Sequence, residues 1–210
     1  MLDRYALALL RPGLTRAAQV LARRGIGADA VTWIGFAFGM AAALAIANRL
    51  YLAGLALLLA GRLADGLDGA IARVTRPSDR GAFLDITLDF VFYASIPLAF
   101  AFADPARNAL AAALLLAAFC GTASSFLAFA VMAERRGLAS ADYPGKGFFY
   151  LGGLTEGTET IACFALMCLV PRHFAWWAGG FAVLCALTIA TRLVAGWRML
   201  GEAPPAGSDR

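Results

Sequence analysis

Four aspartates carry the strongest chemical signal in this chain. Asp65, Asp68, Asp85 and Asp89 fall in the stretch DGLDGAIARVTRPSDRGAFLDITLD, residues 65–89, which lies between long apolar runs. A carboxylate is costly in such a setting, and an acid inside a membrane-spanning segment marks a functional site by default. Asp65 and Asp68 are three residues apart and Asp85 and Asp89 four apart, so each pair shares one face of a helix. Converging carboxylates repel one another unless a cation sits among them. Hard divalent cations take oxygen ligands, and Mg²⁺ is held by a few carboxylates together with substrate phosphates. The cluster therefore points to a metal-assisted phosphate site. Gly69 and Gly81 remove side chains where a ligand approaches, and Arg73 offers a planar cationic fork for phosphate. The plain alternative is an interfacial polar patch with no ligand.

The elements that must position these residues are membrane helices. The chain has 210 residues and is 61% hydrophobic, with a mean hydropathy of +0.72, against about 45–50% apolar for soluble domains. The N-terminal MLDRYALALLRPG is a poor signal peptide, because its apolar run, Tyr5 to Leu10, is short and ends at Arg11-Pro12. The net charge of +4 resides at the ends of apolar runs, which indicates anionic lipid rather than nucleic acid as the partner. Cys120, Cys163, Cys168 and Cys185 all lie in apolar segments and form no CxxC pair. A disulfide framework or zinc site is therefore not expected, and buried inert thiols are.

A span needs about 20 mostly apolar residues. Six candidates meet this: about Ala30–Ala47, Leu50–Val74, Gly81–Ala103, Pro105–Met132, Phe148–Val170 and Phe174–Trp197. Connections are short except for Ala133–Gly147, AERRGLASADYPGKG. Ahead of the spans, Gly13–Gly25 places Leu14, Ala17, Val20 and Leu21 at helical spacing among arginines, the pattern of an amphipathic helix on the membrane surface. The expected fold is thus an all-α integral membrane bundle, one domain over 1–200. Its surface-helix region is 1–27 and its six-helix bundle 28–200, followed by a polar tail, 201–210. With six spans, Arg49, Arg107 and Arg172 lie on one side and every other Lys and Arg on the opposite side. That bias puts both termini and the Arg73–Arg80 loop in the cytoplasm, with the protein in the cell's inner membrane. The aspartates then sit on the cytoplasmic halves of spans two and three, which the short loop makes antiparallel neighbours. Tyr51, Trp176, Trp177 and Trp197 fall near span ends and read as interface anchors. His173 stands alone near a far-side turn, with no expected role in chemistry.

The pattern Asp-x-x-Asp-Gly-x-x-Ala-Arg followed by Gly-x-x-x-Asp-x-x-x-Asp resembles the signature of the CDP-alcohol phosphotransferases. Asp65, Asp68, Gly69, Ala72, Arg73, Gly81, Asp85 and Asp89 fill every position, with seven residues between Arg73 and Gly81. The resemblance implies transfer of the phosphoalcohol part of a CDP-alcohol, usually CDP-diacylglycerol, to an acceptor hydroxyl with release of CMP. It implies Mg²⁺ or Mn²⁺, two ions, on Asp65, Asp68 and Asp85. Asp89 would be the general base and a further metal ligand. Asp65, Gly69, Ala72, Arg73 and Gly81 would line the nucleotide, and the protein would be a homodimer. The segment GIGADAVTWIGFAFG, residues 25–39, is similar to the family's Asn-Pro-Asn-x-x-Thr motif, with Ala28 and Asp29 replacing parts of it and Thr32 kept. Asp29 and Thr32 would approach the cytidine; an N-cap at Asp29 and a helix-bonded Thr32 are the alternative.

The acceptor is less legible. Ile86 and Phe90 stand where phosphatidylglycerophosphate synthases carry Pro and Lys, which argues against that branch. GAFLD resembles the inositol-phosphate-using branch, and DFVFYASIPLAF is loosely similar to phosphatidylserine synthases. Lys146, Arg192 and Arg198 are placed to bind an anionic headgroup or to act as positive-inside anchors. In LGGLTEGTETI, residues 151–161, Glu156 and Glu159 share a face. They would bind a polyol or amine, or pair with Arg192. A small alcohol and a phosphorylated polyol both remain open as acceptors. Two other classes use intramembrane acids. Prenyltransferases generally carry two separated aspartate motifs on more spans. A transporter or divalent-cation channel would place its acids near the bilayer midplane, often with repeat symmetry.

Overall fold

The computed structural model describes residues 3–136 and 155–201, with side chains from residue 11 onward. Among the described residues all regular structure is helical: α1 (Asp3–Arg23), α2 (Ala28–Ala47), α3 (Tyr51–Val74), α4 (Asp79–Ala103), α5 (Pro105–Arg135), α6 (Gly157–Leu169) and α7 (Phe174–Gly201). A 3₁₀ turn, Pro171–His173, leads into α7. Four segments are long and apolar enough to cross a membrane: α2, α4, α5 and Pro171–Gly201. Helix α3 is 24 residues long but carries Arg62, Asp65, Asp68 and Arg73. The described part of the fifth expected span is the 13-residue α6; residues 148–154 lie outside the described residues. The expected long connection starts later than its sequence indicates, because α5 continues through Arg135.

Local sequence sets these boundaries. Ser78 caps α4 by accepting the Gly81 N–H at 3.1 Å, and Asp104 caps α5 ahead of Pro105, accepting the Arg107 N–H at 3.3 Å. At the α2–α3 turn Arg49 adopts φ 63°, and its Nε donates to the Ala103 carbonyl at 2.9 Å, tying that turn to the end of α4.

Helix α1 begins before the expected Gly13 and runs through Pro12. It ends on Gly25 at φ 76°, with the Ile26 N–H bonded to Leu21 O at 3.1 Å and the Gly25 N–H to Ala22 O at 3.0 Å. These are the paired bonds of a glycine-terminated helix. Its stripe of Leu14, Ala18 and Leu21 packs on Val31, Ala70 and Ile71 at the ends of α2 and α3. Ala17 and Val20, expected on the same apolar face, are exposed instead.

The other helices close a ring. Helix α2 packs on both α3 and α4, α4 on α5, α5 on α7, α7 on α6, and α6 back on α3. Spans two and three are therefore not packed side by side as expected; α2 backs the gap between them. Glycines bring α2 and α3 close: a Cβ on Gly61 would lie 3.0 Å from the Gly35 carbonyl oxygen. The core fills the end of the ring that holds the α2–α3, α4–α5 and α6–α7 turns. There Phe100 stacks on Phe174 at 4.6 Å and on Tyr51 at 5.7 Å, among buried Ile46, Leu58, Ile96, Leu115 and Met167. Tyr51 is thus half-buried in an aromatic stack rather than a free interface anchor. Trp33, Leu44, Phe102, Leu110, Trp176 and Trp197 point outward, as side chains that meet lipid do. Toward the other end the ring opens around a cavity.

Candidate active site

The aspartates stand at the open end. Asp65 and Asp68 come from the second half of α3 and Asp85 from the second turn of α4. One carboxylate oxygen of each lies within 4.8 Å of those of the other two. Asp68 is 5% exposed, and its Oδ2 has no hydrogen-bond partner. A buried acceptor with no donor is unfavourable unless something cationic completes it. The donor set, three hard carboxylates of which one keeps a buried unpartnered oxygen, therefore fits a divalent cation. Thr32 of α2 faces Asp68, while its hydroxyl donates to Ala28 O at 3.1 Å. The helix-bonded reading of Thr32 thus holds.

Asp89, one turn beyond Asp85, is outside this trio. It accepts from Arg62 Nη1 at 2.7 Å, and the same Nη1 is 3.5 Å from Asp65 Oδ1. The guanidinium lies 4.2 Å from the centroid of Phe92 and 5.8 Å from that of Tyr93. Sequence reasoning counted Arg62 only toward the charge bias. The available signal was its position three residues before Asp65, which puts both on one helix face.

The remaining motif residues surround the trio. The Arg73 guanidinium folds back over Gly69, where a Cβ would sit 3.4 Å from Arg73 Nη1. Ala72 is half-buried and Arg73 exposed. A Cβ on Gly81 would meet Asp29 Oδ1 and Ser78 Oγ, each at 3.2 Å. Asp29 pairs with Arg80 at 2.5 Å and lies in the first turn of α2, where Gly27 is the N-cap; the N-cap reading of Asp29 is thereby corrected.

A single cavity of about 1190 Å³ joins the two halves of the expected chemistry. Its wall includes Asp65, Asp85 and Asp89 on one side, and Glu156 and Arg192 on the other. Arg192 is buried; its Nη1 donates to Thr122 O at 3.1 Å, and its guanidinium is 5.6 Å from the Phe126 ring centroid. Glu156 is the buried N-cap residue of α6. Glu159 is half-buried and does not line the cavity. Arg198 is exposed, and Lys146 lies outside the described residues. Cys163, Cys168 and Cys185 are buried as expected, whereas Cys120 is exposed and lines the cavity.

Residues 26–191 match the family model for CDP-alcohol phosphatidyltransferase. The chain belongs to that family: it is a membrane phosphotransferase of phospholipid biosynthesis that transfers phospholipid head groups. The prenyltransferase and transporter alternatives lapse with that assignment. The chain is 50% identical over 200 residues to the inner membrane protein YnjF of Escherichia coli, spanning 95% of this chain and 97% of the relative. It is 42% identical over 81 residues to the archaetidylinositol phosphate synthase of Methanothermobacter thermautotrophicus, 38% of this chain and 42% of that one. The fold is that of the Mycobacterium tuberculosis phosphatidylinositol phosphate synthase PgsA1. Its structure with CDP-DAG bound gives a TM-score of 0.66 at 24% identity, covering 94% of this chain and 97% of that one. A PgsA1 structure in complex with manganese and citrate gives 0.66 at 23% identity, over 94% and 92%.

Proposed function

We propose that this protein transfers the phosphatidyl group of CDP-diacylglycerol to a hydroxyl of a small phosphorylated polyol, releasing CMP. The observation that carries the reading is the shared cavity: Asp65, Asp85 and Asp89 line the same space as buried Arg192. An acceptor held by Arg192 is thus contiguous with a donor whose diphosphate sits at Asp65, Asp68 and Asp85. Arginine favours a phosphorylated over a neutral acceptor, and the inositol phosphate synthases among the relatives support the same class.

When bound, Mg²⁺ or Mn²⁺ neutralises the diphosphate and the departing CMP. The three carboxylates Asp65, Asp68 and Asp85 would hold it, and manganese in one PgsA1 structure supports the choice of ion. The chain's own residues do the rest. Gly69, Ala72, Arg73 and Gly81, with Thr32 and Asp29 beside them, bound the nucleotide. Asp89 takes the proton from the acceptor hydroxyl as its oxygen bonds the β-phosphorus, the phosphorus of the phosphatidyl group. The bond from that phosphorus to the CMP oxygen breaks, and CMP leaves with the electron pair.

The same reading makes α3 a further span and α6 part of another. Both termini and the cavity mouth face the cytoplasm, α1 lies at the interface, and the protein is a homodimer. The charge bias supports the orientation, and the homodimer follows the family expectation.

Purified protein with labelled CDP-diacylglycerol, Mn²⁺ and a panel of acceptors tests the reading. CMP release should require a phosphorylated polyol and should be lost in Asp89→Asn while donor binding persists. Absence of CMP release with every acceptor, despite bound donor, would overturn it.

A further inference from the structure

Helix α1 contributes a side chain to the cavity. Ala18 and Leu21 hold the helix against Val31, Ala70 and Ile71, with Ala18 fully buried. Leu14, one turn earlier, touches the same cluster but also reaches α3 beside the aspartates. A Cβ on Gly66 would lie 3.3 Å from Leu14 Cδ1, and Gly66 follows Asp65 directly and precedes Asp68 by two. A glycine there is what admits the leucine. Leu14 lines the same cavity as Asp65, Gly66, Ala82 and Asp85, and among the described residues it is the only one from α1 to do so. Its neighbours Gly13, Arg16 and Ala17 are exposed, while Leu14 is half-buried. An interfacial helix that met only lipid would leave this leucine as exposed as Val20, which is 49% exposed.

A leucine side chain can neither bind phosphate nor donate a proton. What it does beside three carboxylates is keep water away from them. Water is the competing nucleophile of this chemistry. In place of the acceptor it would bond the β-phosphorus and lose a proton to Asp89, while the bond to the CMP oxygen breaks and CMP leaves with the electron pair. The products are phosphatidate and CMP, and the donor is wasted. Closing a site against water suppresses such side reactions. We propose that Leu14, seated on Gly66, is a specificity-determining residue: it shields the donor phosphorus from water and reserves the phosphatidyl group for the acceptor. That role rests on the transfer reading given above.

The ratio of hydrolysis to transfer tests it. The full chain in lipid nanodiscs receives labelled CDP-diacylglycerol and Mn²⁺, first without acceptor and then with inositol phosphate and the other phosphorylated polyols of the panel. Phosphatidate, CMP and transfer product are counted. Leu14→Ala and Leu14→Ser should raise the phosphatidate formed per CMP released by about tenfold, and Leu14→Met, which refills the space, should stay near the unaltered ratio. A leucine with a merely structural role would slow hydrolysis and transfer together and leave the ratio fixed. A folded Leu14→Ala protein with an unchanged ratio would therefore overturn the role of Leu14 and leave the transfer reading intact. Absence of CMP release with every acceptor would overturn the transfer reading itself. Placement is tested without turnover by Leu14→Cys and Ala17→Cys, each in a Cys120→Ser background. Bound CDP-diacylglycerol should slow maleimide labelling at residue 14 and not at residue 17. Labelling at residue 14 that ignores the donor would remove Leu14 from the donor site.

Discussion

Gly39 of α2 lies flat against the ring of Phe92 of α4: a Cβ at residue 39 would stand 2.7 Å from Phe92 Cδ2. The other side of that relationship is functional, because the same ring supports the Arg62 guanidinium. The absence of a side chain on α2 thus sets the position of an arginine from α3 through an aromatic from α4. Gly39→Ala should cost about 1–3 kcal/mol by overpacking, read as a lower unfolding temperature in detergent micelles. It should also lower the rate of CMP release without altering donor affinity. Adding Phe92→Leu to Gly39→Ala should restore much of the stability but not the rate. Recovery of both would remove Phe92 as the support of Arg62.

Asp68→Asn separates stability from function. The carboxylate is buried and its Oδ2 lacks a partner, so the metal-free protein bears an uncompensated desolvation cost of about 1–3 kcal/mol. The amide should make the metal-free protein more heat-stable, abolish Mn²⁺ binding, and reduce CMP release by about 100-fold or more. Chelation by EDTA should lower the unfolding temperature of the unaltered protein, since a ligand that binds the native state stabilises it. It should leave Asp68→Asn unchanged. An Asp68→Asn variant that still responds to EDTA would place the metal elsewhere.

Cys120 reports on the cavity. It is exposed on the cavity wall, whereas Cys163, Cys168 and Cys185 are buried. N-ethylmaleimide should label the native protein once per chain, at residue 120, and labelling should slow when CDP-diacylglycerol is bound. Equal labelling with and without donor would mean that the lipid does not occupy this wall.

The sequence showed most of the fold and half of the site, and the division has a physical basis. Long apolar runs and the caps at Ser78 and Asp104 act locally, so α2, α3, α4, α5 and α7 were legible to within a few residues, whereas α1 starts at Asp3, well before the expected Gly13. Helical periodicity made the two aspartate pairs legible, since it fixes which carboxylates share a face, but the expected convergence of all four is met by Asp65, Asp68 and Asp85 without Asp89. The wedging of α2 between α3 and α4 was not, because it depends on the close approach of Gly35 and Gly61 across two helices. The link from Arg62 to Asp89 spans 27 residues of chain, and no local pattern announces it. Tyr51 lay at a helix end, as an interface anchor does, but a stacking partner on α4 draws it inward.

Arg192 and Glu156 offer the sharpest test of the acceptor. Arg192 both donates to the Thr122 carbonyl and lies over Phe126, and it lines the cavity. A lysine ammonium cannot reproduce both contacts and a two-pronged grip on phosphate. Arg192→Lys should therefore raise the KM for a phosphorylated polyol by about tenfold, or about 1.4 kcal/mol. The KM for CDP-diacylglycerol and the Mn²⁺ stoichiometry should not change. Glu156 lines the same wall and is suited to a hydroxyl of the polyol rather than its phosphate. Glu156→Gln should weaken acceptor binding, read as Kd, less than Arg192→Lys, and it should do so equally for polyols with and without the phosphate. A selective loss of the phosphorylated acceptor is expected only at Arg192. If both variants instead lower kcat with acceptor KM unchanged, the cavity end formed by α6 and α7 does not bind the acceptor.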